Sequence, residues 1–183
     1  MMCPVFDAAM ERTRFLARSP LLQRADGLRL ELIPGLVFQP ETGESVEDQV
    51  IETLWAEGKT LGSIDPAEQA EVRASFAVLT PRREPGGHSV AASLLLGFPA
   101  PERDLKMAQL RGLPEQLWLE LESGSLVAPE VDRGAAGPED RLPAVLALRY
   151  FIPDGVRIAA LVSNHAEVHG RWAAATAWST WTA

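Results

Sequence analysis

Cysteine is almost missing from this sequence, and its scarcity excludes several classes of protein. Cys3 is the single cysteine among 183 residues, so the chain can form neither an intramolecular disulfide framework nor a zinc cluster of cysteines. One cysteine is compatible with a reducing compartment, and we expect a cytoplasmic protein. Any metal site in this chain must then be built from histidine, glutamate and aspartate.

Positive charge and long apolar runs are scarce as well. The chain has 17 basic against 25 acidic residues and a net charge of −8, and its longest basic run is the pair Arg82 and Arg83. Nucleic-acid binding depends on clustered cations that neutralise phosphates, so we expect no nucleic-acid partner. No apolar run approaches the about 20 residues that cross a bilayer, so we expect no membrane association.

What the sequence does contain is a regular succession of strand and helix patterns. Alternating or continuous apolar segments predict strands at 28–32, 36–39, 88–98, 117–122, 125–128, 144–152 and 156–163. Amphipathic segments predict helices at 45–57, 65–76 and 102–110, after a helical lead-in over residues 1–24. We therefore predict an α+β fold, with an antiparallel or mixed sheet, a strand–helix–strand unit at 88–122, hairpins, and helices packed on one face.

Local signals place the ends and faces of the helices. Ser45 and Asp48 have the spacing of a capping box at the start of the first helix. Asp65 precedes a proline and is a typical N-cap for the second helix. The third helix is predicted to turn Leu105 and Ala108 toward the core, with Met107 as a further candidate for an inward position.

Turn signals and composition divide the rest of the chain. Residues 80–87 contain two prolines and two glycines and are predicted to be a loop. A Pro-Asp-Gly turn predicts that the strand at 156–163 pairs back on the strand at 144–152. We predict a single domain with its core at 28–170 and a tryptophan-rich tail at 171–183.

The sequence offers one candidate metal site. His165 and His169 share a face if their segment is helical, and they share a face with Glu167 if it is extended. A further ligand could come from Glu52, four residues after Asp48 on the first helix. Such a set would suit iron or zinc. Surface histidines and a solvated acidic helix face are the alternatives, and the sequence leaves both open.

Two further features each allow two interpretations. Arg149 lies in an apolar strand, where a charge must be paired, so it is predicted to meet a carboxylate or to lie at a strand end. It could serve an anion site or a structural ion pair. The tail tryptophans could form an exposed surface for a partner protein or pack back on the sheet; they are Trp172, Trp178 and Trp181.

Four segments also occur in an order and spacing that match a known family. They are residues 49–57 (QVIETLWAE), 102–113 (ERDLKMAQLRGL), 144–150 (AVLALRY) and 164–167 (NHAE). Together they resemble the bacterial domain-of-unknown-function family 3501 over roughly residues 28 to 170. The resemblance implies a cytoplasmic setting related to redox or iron chemistry. It draws attention to the matching positions Gln49, Glu52, Glu57, Arg149 and His165, of which Gln49, Glu57 and Arg149 are a candidate polar cluster.

Two functional hypotheses follow from these observations. The first is a non-catalytic accessory or partner-binding domain, whose partner would be a redox or iron–sulfur protein or a second copy of the chain. The second is a small metal-dependent enzyme or metal-binding protein that uses His165, with Glu52 or Glu57 and with His169 or His88 as a further ligand. The second hypothesis requires these side chains to converge in the folded protein.

Overall fold

The structure, a computed structural model, describes residues 28–57, 65–132 and 142–175 together with Trp178 and Trp181. The predicted lead-in helix at 1–24 lies outside the described residues. The strands are β1 (Leu30–Ile33), β2 (Leu36–Glu41), β3 (Arg82–Glu84), β4 (Gly87–Leu96), β5 (Leu117–Leu121), β6 (Leu126–Val127), β7 (Glu130–Asp132), β8 (Val145–Pro153), β9 (Ile158–His165) and β10 (Val168–Ala173). The helices are α1 (Gly43–Ala56), α2 (Pro66–Ser75) and α3 (Ala100–Gln109).

The strands form two antiparallel sheets. The first has the order β1-β2-β4-β8-β7, with β3 also paired to β4, and is called the six-stranded sheet. The second has the order β10-β9-β5-β6 and is called the four-stranded sheet. This arrangement confirms the predicted α+β class with antiparallel pairing. Among the described residues, the helices include none long and apolar enough to cross a bilayer.

The main core lies between the two sheets. Strand alternation places Phe38, Leu94 and Tyr150 on the inner face of the six-stranded sheet, because successive side chains point to opposite faces. The Tyr150 hydroxyl donates a hydrogen bond to the Leu117 carbonyl on the four-stranded sheet, at 2.9 Å. Core residues from the second sheet and from α3 include Met107, Leu110, Leu113, Leu119 and Leu161.

Helix α1 lies on the side of the six-stranded sheet that faces away from the main core. Its N-terminal cap differs from the prediction. The Ser45 amide donates to Thr42 Oγ1 at 3.2 Å, and the Thr42 amide donates to Ser45 Oγ at 2.8 Å. This is the reciprocal geometry of a capping box. The prediction of a Ser45–Asp48 box is therefore wrong, because the helix begins two residues before Ser45 and buries Asp48, 6% exposed, in its interior.

The cap predicted for the second helix is confirmed. Asp65 Oδ1 accepts a hydrogen bond from the Ala67 amide at 3.1 Å. Arg73 then joins α2 to α1 through two hydrogen bonds of 2.9 Å to the Glu47 carboxylate. The Arg73 hydrogen bond lowers the pKa of Glu47 below its usual value.

Three other local predictions are wrong. Residues 80–87 include strand β3 and a tight turn in which Gly86 has φ of +81°, which glycine adopts without strain. Strand β9 pairs with β5 and β10 rather than β8, whose edges pair with β4 and, at residues 147–149, with β7. On α3, Leu105 is 65% exposed and Ala108 is exposed as well, so the prediction is wrong for both, whereas Met107, the further candidate, is 2% exposed and does face inward.

Candidate functional site

The two histidines predicted as metal ligands lie on opposite faces of one hairpin. His165 pairs with Val168, and His169 pairs with Asn164, across a turn between β9 and β10. His165 is buried, whereas His169 is exposed. Neither predicted geometry occurs, because the turn interrupts both a helix and a continuous strand. The structure therefore does not bring these two side chains together.

The buried histidine uses both ring nitrogens in hydrogen bonds. The Glu167 amide donates to His165 Nδ1 at 3.2 Å, so Nδ1 is an acceptor and carries no proton. The proton of the neutral ring is then on Nε2, which donates to the Arg111 carbonyl at 3.0 Å. These bonds hold the end of α3 against the β9–β10 hairpin. In this arrangement the imidazole is a structural bridge.

The six-stranded sheet separates His165 from the predicted carboxylate ligand. Glu52 is on α1, on the side of the six-stranded sheet that faces away from the main core. The four-stranded sheet, which carries His165, packs on the core side. His88 is elsewhere again, on β4, beside Arg83 and Asp154. Across residues 28–57, 65–132 and 142–175, no group of three or more His, Cys, Asp or Glu side chains is placed to hold a metal ion.

Gln49, from the predicted polar cluster, belongs to a buried network centred on Glu41. Glu41 is 0% exposed. Its carboxylate accepts hydrogen bonds from Ser93 Oγ at 2.5 Å, Ser45 Oγ at 2.6 Å, Gln49 Nε2 at 3.0 Å and Gln39 Nε2 at 3.2 Å. A carboxylate has about four acceptor positions, so these donors fill it. The network joins α1 to β2 and β4.

The other members of the predicted cluster lie apart from this network. Glu57 is exposed at the end of α1. Arg149 meets no carboxylate of the described residues in a direct ion pair; it donates to Ser89 Oγ at 2.9 Å and to the backbone carbonyls of Ala77, Val78 and Thr80. Partial burial lowers the pKa of Arg149, and the positive charge of Arg82 lowers it further. Arg149 thus anchors the segment that connects α2 to β3.

The tail tryptophans do not form the exposed partner surface that was one interpretation of the sequence. Trp178 is 3% exposed and Trp181 is 2% exposed. Their rings contact each other and Phe38, with centroids 5.6 to 6.0 Å apart, and Trp181 Nε1 donates to the Ala91 carbonyl at 2.9 Å. Burial of apolar rings in the core explains this correction. Trp172 differs, because it lies half-buried on β10 at the end of the four-stranded sheet.

A different surface combines one exposed and two half-buried apolar side chains, and it lies on the side of the four-stranded sheet that faces away from the core. Leu126 is 54% exposed and pairs with Glu120, while Trp118 pairs with Val162 and both are half-buried. Arg171 completes the row beside Val162 and binds Glu120 Oε2 at 2.6 Å. We call these five residues the outer face.

The sequence contained a signal for this surface that our prediction did not use. Trp118 falls in the alternation of Leu117, Leu119 and Leu121 with polar residues, so it occupies the solvent side of a strand with one wet face. A tryptophan at such a position is unusual, because large aromatic side chains are usually buried. Tryptophan and arginine are also enriched in protein interfaces. The outer face is therefore the candidate functional site.

No family model and no curated protein matches the chain. Its fold is similar to the crystal structure of a novel protein of unknown function from Burkholderia pseudomallei. The TM-score is 0.77, the alignment covers 96% of this chain and 94% of the other, and the sequences are 16% identical. The likeness supports the α+β architecture over nearly the whole length of both chains.

Proposed function

We propose that this protein is a non-catalytic accessory domain that binds another protein through the outer face. The observation that carries the proposal is a group of apolar side chains on the surface of one sheet, the exposed Leu126 and the half-buried Trp118 and Val162. Interfaces place a few aromatic and aliphatic anchors inside a polar rim. Here Arg171 and Glu120 form an ion pair beside the apolar group and would contribute to such a rim.

The roles of the polar residues agree with this proposal. His165 bridges two backbone groups, Glu41 is filled by neutral donors, and Arg149 binds backbone carbonyls. Groups held in this way stabilise the fold, and each has a structural role that accounts for its position. The apolar group of Trp118, Val162 and Leu126 has no such role, since none of the three belongs to the main core.

The kind of partner is a further part of the proposal. The resemblance to family 3501 favours a cytoplasmic protein with redox or iron–sulfur chemistry. Of its matching positions, Arg149 and His165 support the scaffold, at the α2–β3 connection and at the β9–β10 hairpin. The outer face lies on β5, β6, β9 and β10. A partner protein bound there would leave the contacts of Arg149 and His165 unchanged.

The test compares two exposed leucines. Leu126→Glu places a charge in the outer face, and Leu105→Glu places the same charge on α3, where Leu105 is 65% exposed. A partner is first identified with the tagged wild-type chain, then purified and titrated with each variant by calorimetry. We expect Leu126→Glu to weaken binding at least about tenfold, which corresponds to about 1.4 kcal/mol, and Leu105→Glu to bind like wild type. Equal affinities for both variants would contradict the proposal.

A further inference from the structure

We propose that helix α2 is a hinged arm that opens away from α1 while the rest of the fold stays intact. The ion pair between Glu47 and Arg73 is the latch of this arm, and the segment at 77–80 is its hinge. This goes beyond the proposed function, because the arm lies over the six-stranded sheet, on the side away from the main core, whereas the outer face belongs to the four-stranded sheet.

Helix α2 is the least anchored of the three helices that the structure describes. None of its ten residues is buried, whereas α1 buries Val50 and Leu54 completely and α3 buries Met107. Val72 is the single large aliphatic side chain on α2, and it is half-buried. Helices owe most of their stability to tertiary packing, and isolated helices shorter than about 12–15 residues are marginal in water. Undocking of α2 therefore costs little free energy.

The docked position of α2 is held in part by an ion pair at the protein surface. Arg73 Nε and Nη2 each donate to the Glu47 carboxylate at 2.9 Å, and the two side chains are 45% and 48% exposed. Water competes for such a pair, so it contributes little to stability. Because both groups are hydrated when they separate, the pair can break without leaving a buried charge. These are the properties expected of a latch.

The segment that follows α2 is fixed to the six-stranded sheet. Leu79 is 7% exposed, and Arg149 on β8 donates to three backbone carbonyls, those of Ala77, Val78 and Thr80. Helix α2 ends before this clamp, and residues 77–79 form a short 3₁₀ turn, a conformation that often marks a hinge. The clamp therefore keeps the end of the arm in place, and the arm pivots there.

Opening of the arm would uncover apolar side chains of α1. Residues three and four positions apart share one face of a helix, so Ile51 and Leu54 are on the same side of α1 as Glu47, the residue that binds α2. Ile51 is 4% exposed and Leu54 is 0% exposed, and neither belongs to the main core. Their exposure would therefore leave the core between the two sheets intact.

The first test is hydrogen exchange of the full chain, followed by mass spectrometry at urea concentrations below the unfolding transition. Relative to their intrinsic rates, α2 amides should exchange at least about tenfold faster than those of β4, because local opening requires less free energy than global unfolding. The α2 rates should rise with urea less steeply than those of β4, because opening exposes only part of the apolar surface. Identical protection and urea dependence in α2 and β4 would overturn the proposal. So would α2 rates that do not respond to urea, because fraying of single residues exposes no apolar surface.

The second test compares two variants that each break an exposed arginine–glutamate pair. Arg73→Gln removes the latch and should raise the exchange rates of α2 about two- to fivefold, with β4 unchanged. Arginine and glutamine have similar helix propensities, so the change acts through the pair. Arg171→Gln removes the pair with Glu120 on the four-stranded sheet and should leave the α2 rates at their wild-type values. Equal responses of α2 to both substitutions, or no response to Arg73→Gln, would overturn the latch.

Discussion

At the scale of single residues, the most unusual group in this protein is the carboxylate of Glu41. It is fully buried and accepts hydrogen bonds from two serines and two glutamines on three different elements. Burial of a charge is costly unless hydrogen bonds replace its hydration. Here four neutral donors replace the hydration of the carboxylate. The network therefore ties the start of α1 to the sheet as long as each donor keeps its acceptor.

We predict that Glu41→Gln destabilises the protein by about 2–4 kcal/mol. The substituted amide nitrogen cannot accept hydrogen bonds, and each buried donor left without an acceptor costs about 1–3 kcal/mol. Urea denaturation measures the effect. Glu57→Gln, an equivalent change at an exposed position just after α1, should lie within about 0.5 kcal/mol of wild type. Similar losses in the two variants would show that the network contributes little.

At the scale of elements, α3 shows what sequence spacing can and cannot decide. Leu105 with Ala108 and Met107 with Leu110 both have the three-residue spacing of a helix face. The periodicity therefore predicts a helix but offers two inward stripes. The structure buries the second stripe, because it continues through Leu113 into the main core.

Because Met107 rather than Leu105 faces the core, two similar truncations on α3 should differ strongly in their effect on stability. Met107→Ala removes a side chain that is 2% exposed and should cost about 2–5 kcal/mol of unfolding free energy. Leu105→Ala removes one that is 65% exposed and should change it by less than about 0.5 kcal/mol. Denaturant midpoints of the two variants provide the measurement. A larger loss for Leu105→Ala would mean that α3 is rotated relative to the structure.

Other elements were predictable to the extent that their signals are local. The Asp65 cap depends on neighbouring residues, and its predicted position is confirmed. The partner of β9 depends on which edges remain free after β4 and β7 have paired with β8, and no local pattern contains that information. The same holds for Glu41, which follows an alternating strand as a solvent-side residue and is buried only because α1 covers it. Long-range assembly therefore decides the candidate site more than local sequence does.

At the scale of the whole molecule, Tyr150 forms a polar link between the two sheets. Its ring is in the aromatic group with Phe38 and Trp181, and its hydroxyl donates across the core to Leu117. Burial raises the pKa of Tyr150 well above 10. It is also the only tyrosine in the chain, so tyrosinate absorbance reports on this group alone.

Because the pKa of Tyr150 is raised in the folded protein, the free energy of unfolding should fall in alkaline solution. Below about pH 10, tyrosine is neutral in both the folded and the unfolded chain, so the buried hydroxyl contributes its full stabilisation. Above that pH the unfolded chain loses the proton while the folded chain keeps it. The unfolded state is then favoured, and unfolding free energy falls by up to about 1.4 kcal/mol per pH unit from this group.

We predict that Tyr150→Phe removes this part of the pH dependence. Near neutral pH the variant should be less stable than wild type by about 1 kcal/mol, because the Leu117 carbonyl loses its donor. As the pH rises above about 10, the difference should shrink and then reverse, because phenylalanine has no proton to lose. Denaturant unfolding of both proteins from neutral pH to above about pH 10 tests the prediction. The other titrating groups are the same in both proteins, so their contributions to the difference in unfolding free energy cancel. Parallel stability curves, or tyrosinate absorbance that appears near pH 10 in the folded protein, would show that Tyr150 is open to solvent and that the two sheets are not sealed around it.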